Sequence, residues 1–94
     1  MTRLKTEEVE EPILDILRKK GPQTTKQIAA ELSRVLGYEV RAEALFVILD
    51  RIKKKGLIVG VPNDLVPQLA DEWWKWGREK AWLLREDAEK LGLI

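Results

Sequence analysis

Residues 37–59 read GYEVRAEALFVILDRIKKKGLIV, and the order of signals within them organises the rest of the chain. Leu45, Ile48, Leu49 and Ile52 recur at i, i+3, i+4 and i+7, the spacing that sets apolar side chains along one stripe of a helix. Lys53, Lys54 and Lys55 crowd the last turn, where cations suit the negative end of the helix dipole. Gly56 follows as a residue able to take positive φ and stop the helix. Leu57-Ile58-Val59 then reads as a strand. The stretch is therefore turn, helix over 41–55, glycine stop and strand.

Upstream, Gly37 ends an earlier helix. Thr24-Thr25-Lys26-Gln27 carries a capping-box signature, with Thr24 at the N-cap and Gln27 three residues on. A helix is expected from there to Leu36, with Ile28, Leu32 and Val35 as its inner stripe and Ala29 and Leu36 beside it. The small Ala29-Ala30 pair permits close approach of another helix. Gln23-Thr24 reads as a very short first strand, preceded by a Gly21-Pro22 break. A first helix is expected over 10–20, with Pro12 in its first turn, Glu10 and Glu11 at the positive dipole end and Lys19 and Lys20 at the negative end. Ile13, Ile16 and Leu17 are its apolar stripe. Residues 1–9 are a polar lead-in whose Arg3 and Lys5 form either a frayed terminus or a basic arm.

Downstream, residues 57–61 and 65–69 are apolar runs separated by Pro62-Asn63-Asp64, a turn-forming triplet, and read as a hairpin. Pro67 makes the return strand an edge strand. For residues 70–92 two readings compete. A late strand over 80–85 is disfavoured because Ala81-Trp82-Leu83-Leu84 does not alternate. A long amphipathic helix is preferred. It sets Trp73, Trp76, Gly77, Ala81, Leu84, Ala88 and Leu91 on one face, with Trp74 and Leu83 at the margins and Trp82 on the polar side. Gly92 would end it. That apolar stripe is too large for a small monomer to leave exposed. The helix is therefore expected to form a homodimer interface through Trp73, Trp74, Trp76, Gly77, Ala81, Leu84, Ala88 and Leu91, or else to fold back over the first helix.

Two helices joined by a short Gly-containing turn fit a helix-turn-helix unit. A helix, a basic turn, Gly-Leu-Ile and a hairpin resemble the recognition helix and wing of winged helix-turn-helix domains. TTKQIAAEL (24–32) followed by ILDRIKKKGLI (48–58) looks like the archaeal and bacterial winged-helix regulators, including the MarR- and PadR-like groups. The resemblance covers residues 10–69 and speaks to fold more than to function. The fold class expected is mainly α with a small β-hairpin (α+β). It would be a single domain over residues 1–94, with helix-turn-helix core and wing at 10–69 and a long C-terminal helix at 70–92.

Composition narrows the chemistry. Ninety-four residues suffice for one domain. Cysteine and histidine are both absent, which removes thiol metal sites, disulfides, the commonest metal ligand and the commonest general base. No constellation of carboxylate, Lys and Ser/Thr replaces them, so neither an enzyme nor a cofactor is expected. No apolar run is long enough to span a bilayer and no secretory leader is visible, so a cytoplasmic location without membrane contact is expected. The net charge of +1 does not by itself announce a polyanion partner. A charged fraction of 35%, rich in Lys, Arg and Glu, is common in hyperthermophile proteins.

The resemblance implies double-stranded DNA binding, sequence- or structure-dependent, by a small homodimeric transcriptional regulator. On that reading the outward side of the 41–55 helix carries Glu43, Val47, Asp50 and Lys54, edged by Phe46 and Arg51. Glu43 is able to accept from cytosine N4 and Phe46 to touch a thymine methyl, whereas Asp50 opposes a phosphate. Thr24, Thr25 and Lys26 begin a helix, a natural phosphate position. Arg41, Arg51, Lys53 and Lys54 supply further cations, or in the plainer reading a solvated helix end. The wing tip, with Asn63 its only amide, lacks the Arg or Lys that wings gripping DNA carry. Two acids and two apolar side chains on the reading face favour the alternative, a winged-helix module for protein–protein interaction without DNA binding. The tryptophans read as packing residues rather than base-stacking platforms.

Overall fold

A computed structural model describes residues 5–66 and 80–94. Helix α1 spans Thr6–Lys20. It begins earlier than expected because Val9, 1% exposed, extends the stripe of Ile13, Ile16 and Leu17 by one turn. Pro12 consequently lies inside the helix rather than in its first turn. Gly21 closes the helix with its N–H on the Leu17 carbonyl at 3.0 Å.

Strand β1, Gln23–Thr24, runs directly into α2, Thr25–Leu36. The capping box forms as expected: the Gln27 N–H donates to Thr24 Oγ1 at 3.3 Å and the Thr24 N–H donates to Gln27 Oε1 at 2.9 Å. Ile28, Ala29 and Leu32 are buried, but Val35 is 52% exposed. The buried stripe stops one turn before the helix does, and Leu36 packs on the core in place of Val35. Gly37 ends α2 in the left-handed region, φ 80°. A residue without a sequence signature then sets the connection. Ser33 Oγ donates to the Ala29 carbonyl at 2.7 Å and accepts the Val40 N–H at 2.8 Å. That hydroxyl braces the turn between α2 and the next helix, and Val40 is buried beneath it.

Helix α3, Ala42–Lys54, buries Leu45, Ile48, Leu49 and Ile52 as the periodicity requires. Gly56, φ 81°, turns the chain into β2, Ile58–Pro62. There the structure departs from the sequence reading. Asn63–Leu65 is a single 3-10 turn and Val66 is buried, so the expected return strand does not begin at Leu65, and its residues 67–69 lie outside the described residues. Among the described residues the partner of β2 is β3, Lys80–Leu84, in antiparallel register from Ile58↔Leu84 to Pro62↔Lys80. β3 also pairs with β1, Gln23 opposite Trp82, and so forms the centre of a three-stranded antiparallel sheet ordered β1-β3-β2. The described chain is thus mainly helical with a small sheet.

The long helix expected over 70–92 is therefore corrected at residues 80–84. Ala81, Trp82, Leu83 and Leu84 are all buried. A strand covered on both faces reads as a continuous apolar run, which periodicity does not separate from a buried helix. Among the described residues of that stretch the helix is α4, Arg85–Lys90, which anchors Ala88 in the interior. The remainder of that expectation, residues 70–79 with Trp73, Trp74, Trp76 and Gly77, lies outside the described residues, as does Pro67 of the expected return strand. Gly60 sits opposite Trp82 for a steric reason: a Cβ there would lie 2.7 Å from Lys80 Cε and 2.9 Å from Trp82 Cζ3.

Candidate nucleic-acid interface

The inner face of α3 is held by the core, and its outer face is open. Glu43 is exposed, Phe46 is 41% and Val47 51% exposed, and Asp50 is partly exposed at the same side. Asp50 does not stand as a bare charge, because Lys54 Nζ lies 3.3 Å from its carboxylate one turn on. Lys55 is likewise paired, 2.7 Å from Glu10 of α1. Arg51 reaches toward the Thr6 hydroxyl at 3.5 Å. Arg41, Lys53 and Lys54 are exposed. Arg41 is the N-cap residue of α3, and its side chain makes no capping hydrogen bond.

The beginning of α2 meets the expectation in part. Lys26 is exposed. Thr24 is fully buried, with its hydroxyl in the capping box. Thr25 is 8% exposed, and its hydroxyl accepts the indole N–H of Trp82 at 2.8 Å. Neither threonine therefore stands open to a phosphate. Asn63 is 2% exposed and cannot serve as a wing-tip contact. The turn that carries it is folded inward with Val66.

Two features of this surface escaped sequence reasoning. Trp82, expected on the polar side of a helix, is fully buried under α2 and α3, because β3 is the central strand. Its ring meets Phe46 edge to face, centroids 5.7 Å apart at 73°. Lys80 lies over this aromatic pair. Its Nζ is 5.6 Å from the Phe46 centroid and 5.1 Å from that of Trp82. Thr25, Lys26, Ala42, Glu43, Phe46 and Lys80 together line an open groove of about 300 Å³ between α2, α3 and β3. No local signal joins Lys80 to Phe46. The contact exists only because β3 enters the sheet between β1 and β2.

A second groove, about 640 Å³, lies on the other flank of α3, between Ala44, Val47, Ile48 and Arg51 and the start of α1 at Lys5, Thr6 and Glu7. Lys5 is exposed there, while Arg3 lies outside the described residues. The dimer seam expected from the C-terminal helix does not form on described residues: Ala81, Leu84 and Ala88 are buried against their own chain. Leu91 is partly exposed. Among the described residues no group of three or more acidic side chains is placed to hold a metal ion, and no helix is long and apolar enough to cross a membrane.

Comparison of the sequence with protein-family models and with curated proteins returns no match.

Proposed function

We propose that the protein binds double-stranded DNA through α3, as a winged-helix regulator. The element order supports this reading. α1, β1, α2, a short turn and α3 are followed by β2 and β3, and β1 closes the sheet beside β3. The observation that carries it is the charge arrangement around the exposed face of α3. Lys26 and Lys80 line one flank and Arg51 lines the other, with Arg41 at the N-cap and Lys53 in the last turn. The acid most opposed to a phosphate, Asp50, is engaged by Lys54. Phosphate contacts from such a rim position a helix in the major groove, and base edges are then met by Glu43, Phe46 and Val47. The protein is a binding protein rather than an enzyme on this reading. A homodimer, which a two-fold operator requires, would have to use a surface other than Ala81, Leu84 and Ala88.

One specific observation favours a second reading, a protein-interaction module: Phe46 and Val47 expose adjacent apolar surface at the centre of the same face. Fluorescence anisotropy of a labelled random-sequence duplex separates the two. Binding that weakens steeply as salt rises supports the DNA reading. No binding at low salt with tens of micromolar protein rejects it.

A further inference from the structure

Glu43 and Phe46 stand one turn apart in the first half of α3, on its outer face. Both line the open groove of about 300 Å³, with Ala42 beside them. The Phe46 ring is held in place. It meets the buried Trp82 indole edge to face at 5.7 Å, and the Lys80 ammonium lies 5.6 Å from its centroid. It still leaves 41% of its surface open. A ring held in this way offers apolar surface with little ordering cost on binding. Glu43 is exposed, and among the described residues no cation holds it, whereas Asp50 is held by Lys54 at 3.3 Å. It is also the one acid among the described residues lining the groove, and the other charged groups there, Lys26 and Lys80, are cations.

The groove thus combines cationic donors, one carboxylate acceptor and a fixed apolar ring. Base pairs differ in which of these their major-groove edges satisfy. Cytosine offers its N4 amino donor to a carboxylate but has only a C–H at the neighbouring C5. Thymine offers a methyl to the ring but sets its O4 acceptor against the carboxylate. In an A·T pair that O4 also separates the adenine N6 donor from the methyl. A cytosine methylated at C5 carries donor and methyl on adjacent carbons, and its guanine partner presents O6 and N7 to lysines. We infer that Glu43 and Phe46 form one base-reading site that selects 5-methylcytosine in duplex DNA. The site rests on the duplex-binding reading above.

The test is fluorescence anisotropy at low salt on three labelled random-sequence duplex pools. One is ordinary DNA, one has 5-methylcytosine in place of cytosine, and one has uracil in place of thymine. The site requires the methylcytosine pool to bind about fourfold tighter than ordinary DNA, the worth of one buried methyl group. It requires the uracil pool to bind as ordinary DNA does, because the thymine methyl is not read. Phe46→Ala should bind the ordinary and methylcytosine pools alike, and its thermal unfolding is recorded because Phe46 packs on Trp82. Glu43→Ala changes an exposed side chain and keeps the fold. Without the carboxylate the ring should accept thymine too, so this variant should bind the uracil pool more weakly than ordinary DNA. Equal binding of the ordinary and methylcytosine pools by the parent overturns the site and leaves the DNA reading standing. A parent that loses affinity on the uracil pool reads methyl groups on any base, which also overturns it. So does a methylcytosine preference that survives in folded Phe46→Ala, or a Glu43→Ala indifferent to the thymine methyl. No binding to any pool with tens of micromolar protein removes the DNA reading and the site with it.

Discussion

The indole N–H of Trp82 donates to the hydroxyl of Thr25 across 2.8 Å, a buried hydrogen bond between residues 57 positions apart. It joins the central strand to the first turn of α2 and so sets where Lys26, Phe46 and Lys80 face one another. Thr25→Val keeps the shape but leaves the indole N–H without a partner in the interior. An unsatisfied buried donor costs about 1–3 kcal/mol. Urea denaturation should show a lower midpoint at unchanged slope, and an unchanged midpoint would mean that the bond contributes nothing to stability.

Gly60 is required by the same ring. Gly60→Ala places a methyl 2.9 Å from Trp82 Cζ3 and 2.7 Å from Lys80 Cε. The lysine stem can yield, but the buried indole cannot do so without moving β3. Overpacking of this kind costs about 1–3 kcal/mol. Thermal unfolding should show the loss, and the Lys80 NMR resonances should move with it. A variant as stable as the parent, with those resonances in place, would contradict the close approach.

Ser33 is a third joint, between the Ala29 carbonyl and the Val40 N–H. Ser33→Ala removes the acceptor for Val40 and should destabilise by about 1–2 kcal/mol. Amide exchange at Val40 should rise more than at Ile28, since the turn into α3 loosens before the helix core does.

Glu31 supplies the pH dependence. Its hydrogen bond from Arg34, joined by one from Lys20 at 2.9 Å, lowers its carboxyl pKa to about 2. A folded-state pKa below the unfolded one means stability that is fully present above the unfolded value near 4.5 and is lost as pH falls toward about 2. Glu31→Gln should therefore flatten the acid limb of a stability–pH curve within that window and leave its shape near neutrality unaltered. Parallel curves for variant and parent would remove Glu31 as the source.

Asp50 and Lys54 form the pair that most directly tests the duplex reading. Asp50→Asn removes the acid facing the phosphates and should tighten duplex binding. Lys54→Ala exposes that acid and should weaken it, and Arg41→Ala should weaken binding to all sequences alike. Each lost phosphate contact should reduce the slope of log affinity against log salt by about one. Anisotropy titrations at several salt concentrations report all three, and indifference to every one of these changes would exclude α3 from any DNA interface.

The local rules were legible in the chain itself. The Thr24/Gln27 capping box, the Leu45, Ile48, Leu49 and Ile52 stripe and the Gly37 and Gly56 stops each depend on residues within about one or two turns, so spacing alone identifies them. The resemblance to winged helices drew on the same local order. The fate of residues 80–84 was not local. Ala81-Trp82-Leu83-Leu84 suits a buried helix or a strand covered on both faces equally well, and what selects the strand is pairing with Gln23 and Thr24 on one edge and with Ile58–Pro62 on the other. Val35 and Asn63 follow the same rule, one left exposed and the other drawn inside by what surrounds them. Sequence thus determined the helices and the cations on them. Only the tertiary structure decided that Lys80 and Trp82 would meet Phe46, because burial on both faces and strand pairing are properties of distant partners, which no window of sequence contains.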